Sequence, residues 1–168
     1  MSRGPATIEG RGKVLAAEEF AQALPAGARL LGLDLGTKTV GLALSDVTRT
    51  IASGLTTLAR GKFSADARRL LELAQEHGVG GFVIGLPISL DGSVGPRAQA
   101  TRAFARNLGR LTPLPILLWD ERLTTAAAER SLLEADVSRR RRSQVIDKVA
   151  ATLILQSALD RLELFDRG

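Results

Sequence analysis

The sequence has no cysteine, so disulfides, thiol nucleophiles and zinc–thiolate sites are excluded. Its single histidine, His77, excludes histidine-rich metal centres and leaves any triad with one candidate base. No apolar run approaches the roughly 20 residues of a membrane span, and the first residues hold no secretory core. The expectation is a cytoplasmic protein with no membrane contact. Repeats and low-complexity linkers are also missing. What is present is 168 residues, 45% of them hydrophobic, which suits one domain with a real core. The net charge of +5 comes mostly from arginine and hints at nucleic acid.

Residues 1–29 read as an N-terminal extension, either a tag remnant (Ile8–Arg11 spells a protease site) or a short helix stopped by Pro25. The domain is assigned to residues 30–168. Strands are predicted at Leu30–Leu35, Val40–Ser45 and Thr50–Thr57. A helix capped by Ser64 runs to His77, where Gly78 stops it. "GFVIGL" is a continuous apolar strand, and Pro96 opens a helix reaching about Leu111. "PILLWD" is the fifth strand. A helix starting at Thr124 or Thr125 runs through Glu134, and a long last helix covers about Ser143–Leu162. Three antiparallel strands followed by parallel strands alternating with helices predict an α/β ribonuclease H-like fold, a mixed five-stranded sheet flanked by helices.

Asp34 sits inside an apolar strand, where an unpaired carboxylate is costly and needs a partner, a proton or a metal. Asp120 and Glu121 end another apolar strand and alternate between its faces, so only one of them shares a site with Asp34. Asp147 falls on the stripe of Ala150, Ala151, Ile154 and Ala158 of the last helix. Each carboxylate alone is explained by a partner such as Lys38 or Arg122. Three together repel unless a cation holds them, and an all-oxygen set selects Mg²⁺ or Mn²⁺. Such ions activate water for attack on phosphodiesters.

The residues "GLDLGTKTVGLALSD", "VIGLPISLDGSVGPRA", "DERLTT" with "AAAE", and "IDKVAATLIL" occur in this order between Leu30 and Leu162. In them the chain resembles the YqgF/RuvX family, relatives of the RuvC resolvases. The resemblance implies a metal-dependent nuclease with catalytic, metal-binding carboxylates at Asp34, Glu121 and Asp147, and it selects Glu121 over Asp120. It also implies a nucleic-acid partner, either a four-way DNA junction or the precursor of 16S rRNA. A junction cut symmetrically needs two sites, hence a homodimer.

Several basic residues are candidates for phosphate contact: Lys38 on the turn after Asp34, Arg97 at a helix start, and Arg139, Arg140, Arg141 and Arg142, which follow a loop and immediately precede the Asp147 helix. Arg102, Arg106 and Arg110 recur every four residues, either as a solvated helix face or as a phosphate contact. Trp119 is either core or a base-stacking platform. Two rival readings exist: an ATP-binding lobe like those of actin and Hsp70, suggested by "DLGTK", and a non-catalytic nucleic-acid- or ribosome-binding module of the same fold.

Overall fold

The computed structural model describes residues 13–124 and 139–166, with side chains over 13–124 and 148–165. Helix α1 (Ala17–Ala23) precedes strands β1 (Arg29–Leu35), β2 (Thr39–Ser45) and β3 (Ala52–Ala59). Then come α2 (Phe63–His77), β4 (Val79–Leu86), α3 (Pro96–Gly109) and β5 (Ile116–Asp120). A 3-10 turn (Glu121–Leu123) follows, and α4 (Arg139–Asp166) closes the described chain. The strands form one sheet in the order β3-β2-β1-β4-β5. The first three pair antiparallel, and β4 and β5 continue the sheet in parallel. This is the mixed sheet of the predicted ribonuclease H-like fold. The predicted helix beyond Thr124 lies outside the described residues.

Each face of the sheet carries its own core. Leu31, Leu33, Phe82, Ile84 and Ile116 face α2 and α3, whereas Leu30, Val83, Leu117 and Trp119 face α4 and α1. Because β4 is buried along its whole length, it reads as an unbroken apolar run rather than an alternating one. The edge strand β3 has no fully buried residue, which is why its sequence is mixed.

Boundaries shift where side chains compete for backbone. The start of α2 falls at Phe63, with Lys62 in the N-cap position and Ser64 inside the first turn. Phe63 packs edge-on against Phe104, ring centroids 5.2 Å apart, which draws the helix start forward. Asp66 takes the capping work, accepting from the Gly61 amide at 3.1 Å. Its C-terminus matches the expectation, with Gly78 left-handed at φ 66°. Strand β3 starts late because Asp46 ties the Thr50 and Ile51 amides and the Thr48 hydroxyl into a turn. Helix α4 starts before Ser143, so Arg139–Arg142 form its first turn instead of immediately preceding it.

The segment before β1 is packed on the domain. Val14 bridges to Ile116 in parallel, and the Leu15 amide donates to the Ile116 carbonyl at 2.8 Å. Phe20 is fully buried in the α4-side core. Among the described residues, no helix is long and apolar enough to cross a membrane.

Candidate active site

Strand alternation divides β1 into two sets. Leu31, Leu33 and Leu35 point toward α2 and α3. Leu30 points toward α4, and a Cβ on Gly32 would stand 2.8 Å from the Cβ of Leu155 on that helix. Asp34 continues this second set, and its side chain is 1% exposed on the α4 face. Both strand neighbours of Asp34 are glycines. Gly41 is its partner on β2, and on β4 Gly85 follows Ile84, the partner of Leu33.

The same parity brings Glu121 to this face. Leu117 and Trp119 pack toward α4, and Glu121 lies two residues further on, 9% exposed. A Cβ on Gly85 would stand 3.0 Å from Glu121 Oε2 and 2.5 Å from Ile154 Cδ1. A side chain here would force Ile154 aside and press on the carboxylate, so glycine leaves room for Glu121 to lie over the strand.

Asp120 has a different fate. It turns to the other side and chelates Arg122: Nε donates at 3.0 and 3.1 Å and Nη2 at 2.7 Å. The Arg122 amide adds a bond to Asp120 Oδ1 at 2.9 Å. These bonds hold the Asp120 carboxyl below the usual carboxylate range. Of the two neighbours, Glu121 is the one on the same face of the sheet as Asp34.

The N-terminal half of α4 runs toward the Asp34 end of the sheet. Gln156 binds the Ala52 amide and the Thr50 carbonyl, whereas Lys148 lies further along β3 against Gly54. Asp147 is one residue further in that direction on the helix backbone; its side chain lies outside the described residues, as do those of Arg139–Arg142.

Two buried carboxylates on one sheet face give an all-oxygen donor set, whose chemistry suits a hard cation such as Mg²⁺ or Mn²⁺. Among the described residues, no three of His, Cys, Asp or Glu converge as a metal set. A third carboxylate would have to come from beyond them, as Asp147 would.

The basic candidates separate. Lys38 is exposed on the β1–β2 turn. Arg97 Nη2 donates to the Leu35 carbonyl at 3.0 Å, immediately after Asp34. Arg110 bonds Asn107 and belongs to the solvated face of α3. Trp119 is 7% exposed and belongs to the core. Three residues near the site escape sequence reasoning. Gly85 looks like an ordinary strand glycine, and Arg60 follows an edge strand with no pattern to mark it. Lys148 had one signal, its place directly after Asp147. Its stem lies across Gly54, with Cε 2.6 Å from where a Cβ would stand.

Comparison with known proteins fits this arrangement. A family model described as "RuvX: Holliday junction resolvase" matches residues 28–161. A Paracoccus denitrificans protein named "Putative pre-16S rRNA nuclease" is 62% identical over 150 residues, covering 89% of this chain and 95% of its own. A Rhodobacter capsulatus protein of the same name is 61% identical over 151 residues, covering 90% and 95%. Among solved structures, Thermus thermophilus RuvC in complex with a Holliday junction substrate is similar in fold, with a TM-score of 0.51 at 13% identity. That similarity covers 80% of this chain and 96% of RuvC. With the family model spanning most of the sheet and both described carboxylates, the chain belongs to the RuvX (YqgF) family.

Proposed function

We propose that this chain is a divalent-metal-dependent endonuclease that hydrolyses phosphodiesters in structured nucleic acid, with Asp34, Glu121 and Asp147 as its catalytic, metal-binding carboxylates. The observation that carries this reading is that Asp34 and Glu121 are both buried on the α4 face of the sheet, Asp34 on β1 and Glu121 over Gly85 of the neighbouring β4. The family description and the relatives' names support nuclease chemistry over an ATP-binding lobe or a non-catalytic module. The activity is assigned to residues 30–168 and to the cytoplasm; residues 1–29 carry no chemistry in this reading.

Bound Mg²⁺ or Mn²⁺ would supply Lewis acidity toward the phosphoryl oxygen and an activated water. The chain's own contribution is position and charge. Asp34, between two glycines, and Glu121, over Gly85, present carboxylate oxygens in a buried setting where they would hold a cation more strongly than in water. Lys38, Arg97 and Arg139–Arg142 hold the phosphate backbone on either side of the cut. Four arginines in the first turn of α4 oppose the helix dipole, a cost that a bound phosphate offsets.

The relatives' name favours the 16S rRNA precursor as substrate. The second reading, a four-way DNA junction, rests on the family description and requires a homodimer with two-fold symmetry. The test is cleavage of precursor RNA, a four-way junction and plain duplex DNA side by side, with Mg²⁺, Mn²⁺ or chelator. Metal-dependent cutting of the precursor at its 5′ end is the expected result. Intact substrates under both ions would overturn the nuclease assignment.

A further inference from the structure

The β1–β2 turn separates the carboxylate face from a small cleft on the α3 side. The cleft has a volume of about 120 Å³ and is lined by Gly36, Thr37, Arg60, Arg97, Ala100 and Thr101. Two guanidinium groups brace its floor. Arg60, at the end of β3, donates through Nη1 to the Gly36 carbonyl at 2.7 Å. Arg97, in the first turn of α3, donates through Nη2 to the Leu35 carbonyl at 3.0 Å. Consecutive carbonyls thus draw two cations to one place.

That arrangement is unbalanced. Neither arginine has an ion pair among the described residues, whereas Arg69 faces Glu72 and Glu76, and Arg122 faces Asp120. Helix α3 has no acidic residue in its first turn and no side-chain cap, so its positive end adds to the same field. Arg60 also lies over the Phe104 ring, 5.9 Å from its centroid, but neither ring nor carbonyl carries a negative charge, and an anion between the two guanidinium groups would relieve their repulsion. Each guanidinium spends one N–H on the turn and keeps others in a planar fork suited to phosphate oxygens. The size narrows the class further: drug-sized ligands occupy roughly 300–1,000 Å³, so this cleft takes a single tetrahedral anion rather than a base.

We propose that Arg60 and Arg97 form a phosphodiester subsite that holds the nucleic-acid backbone a nucleotide or two from the scissile phosphate. The subsite deepens the nuclease reading and rests on it for the identity of the ligand. Leu35 and Gly36, whose carbonyls anchor the arginines, directly follow Asp34 in the chain. A backbone running over the end of β1 therefore meets the carboxylates on one side of the turn and the cleft on the other. The bonds to Leu35 and Gly36 also stiffen that turn, so an occupied cleft holds Asp34 in register with its substrate.

The test uses binding without divalent metal, so it reads the cleft whether or not the chain cleaves. Each backbone phosphate of a precursor-RNA stem is replaced in turn by a neutral methylphosphonate. For the wild-type chain, one position outside the cut should weaken binding about tenfold. The Arg60→Gln/Arg97→Gln double variant should bind natural RNA more weakly and should ignore the methylphosphonate at that position. Its salt slope should be shallower by about 0.7–0.9 for each phosphate that is no longer neutralised. Should that variant fold poorly, Ala100→Glu keeps both arginines and puts a carboxylate into the cleft; it should weaken binding in the same way. Arg102→Gln/Arg106→Gln serves as the control and should not abolish the position-specific penalty. A position-specific penalty that persists in both cleft variants would show that the arginines only brace the turn. Cleavage assays on the same proteins separate the two ideas: a wild type that binds with the predicted pattern but never cuts sinks the nuclease reading and leaves the subsite standing.

Discussion

Gly81 and Gly85 lie four residues apart on β4 and face the same side of the sheet, yet they are covered in opposite ways. Over Gly81 lie the Phe20 ring and the Leu24 side chain from α1 and its C-terminal end, 2.9 and 3.0 Å from where a Cβ would stand. Over Gly85 lie the Ile154 side chain and the Glu121 carboxylate. At one end of the strand, a missing side chain makes room for packing. At the other it makes room for charge. One sheet face is therefore divided along its length into a part covered by apolar side chains and a part that holds a buried carboxylate, and the covering residue distinguishes them.

Substitutions can break this contrast. The largest stability effect should come from Phe20→Ala, which empties a fully buried site above Gly81 and should cost about 3–5 kcal/mol. Denaturant unfolding measures it; a loss under about 1 kcal/mol would mean that α1 is not part of the folded unit. Next, Gly81→Ala should overpack the same site by about 1–3 kcal/mol while cleavage per folded molecule stays normal. Gly85→Ala should show the reverse pattern. Ile154 can yield at the end of its side chain, so the fold persists, but Glu121 is displaced and cleavage should fall by about 10²-fold. Equal behaviour of the two alanine variants would erase the distinction.

Smaller effects sharpen it. Asp120→Asn removes a carboxylate adjacent in sequence to Glu121 but committed to Arg122, so cleavage should change less than about threefold, under 1 kcal/mol of barrier. The weakest effect lies far from the site. Asp46 has its pKa held down to about 2 from 3.8, chiefly by the Thr48 hydroxyl and then by the Ile51 and Thr50 amides. Its folded value is depressed, so it stabilises the fold above its ordinary value. That contribution is lost as pH falls from 3.8 toward about 2. Melting curves of the wild type and Asp46→Asn should differ by a constant amount near neutral pH and converge in that acid window.

Much of this architecture is legible in the sequence because buried strands and helix stops are local signals. The unbroken run in β4 and the glycine after His77 announce themselves. Boundaries set by distant partners do not: α2 starts at Phe63 because of Phe104, and β3 starts late because of Asp46. The placement of Asp34 and Glu121 on one face follows from alternation once the strands are known, since Asp34 shares parity with Leu30, and Glu121 with Leu117. The role of Gly85 has no such route, because it depends on Ile154 and Glu121 arriving from elsewhere in the chain. Arg60 is hidden for the same reason, as its meaning comes from Arg97, far along the chain, and from the carbonyls that both arginines bind.

The central claim is that Asp34 and Glu121 act as one metal-binding pair. The direct test is thermal unfolding of the wild type, Asp34→Asn, Glu121→Gln and Asp120→Asn with and without Mn²⁺, with cleavage measured on the same samples. If the pair binds the ion, Mn²⁺ at 100 times its Kd should stabilise the wild type and Asp120→Asn by about 2.7 kcal/mol. Asp34→Asn and Glu121→Gln should remain folded, lose that stabilisation and cut at least about 10³-fold more slowly. Full Mn²⁺ stabilisation and normal cleavage in Asp34→Asn would contradict the account.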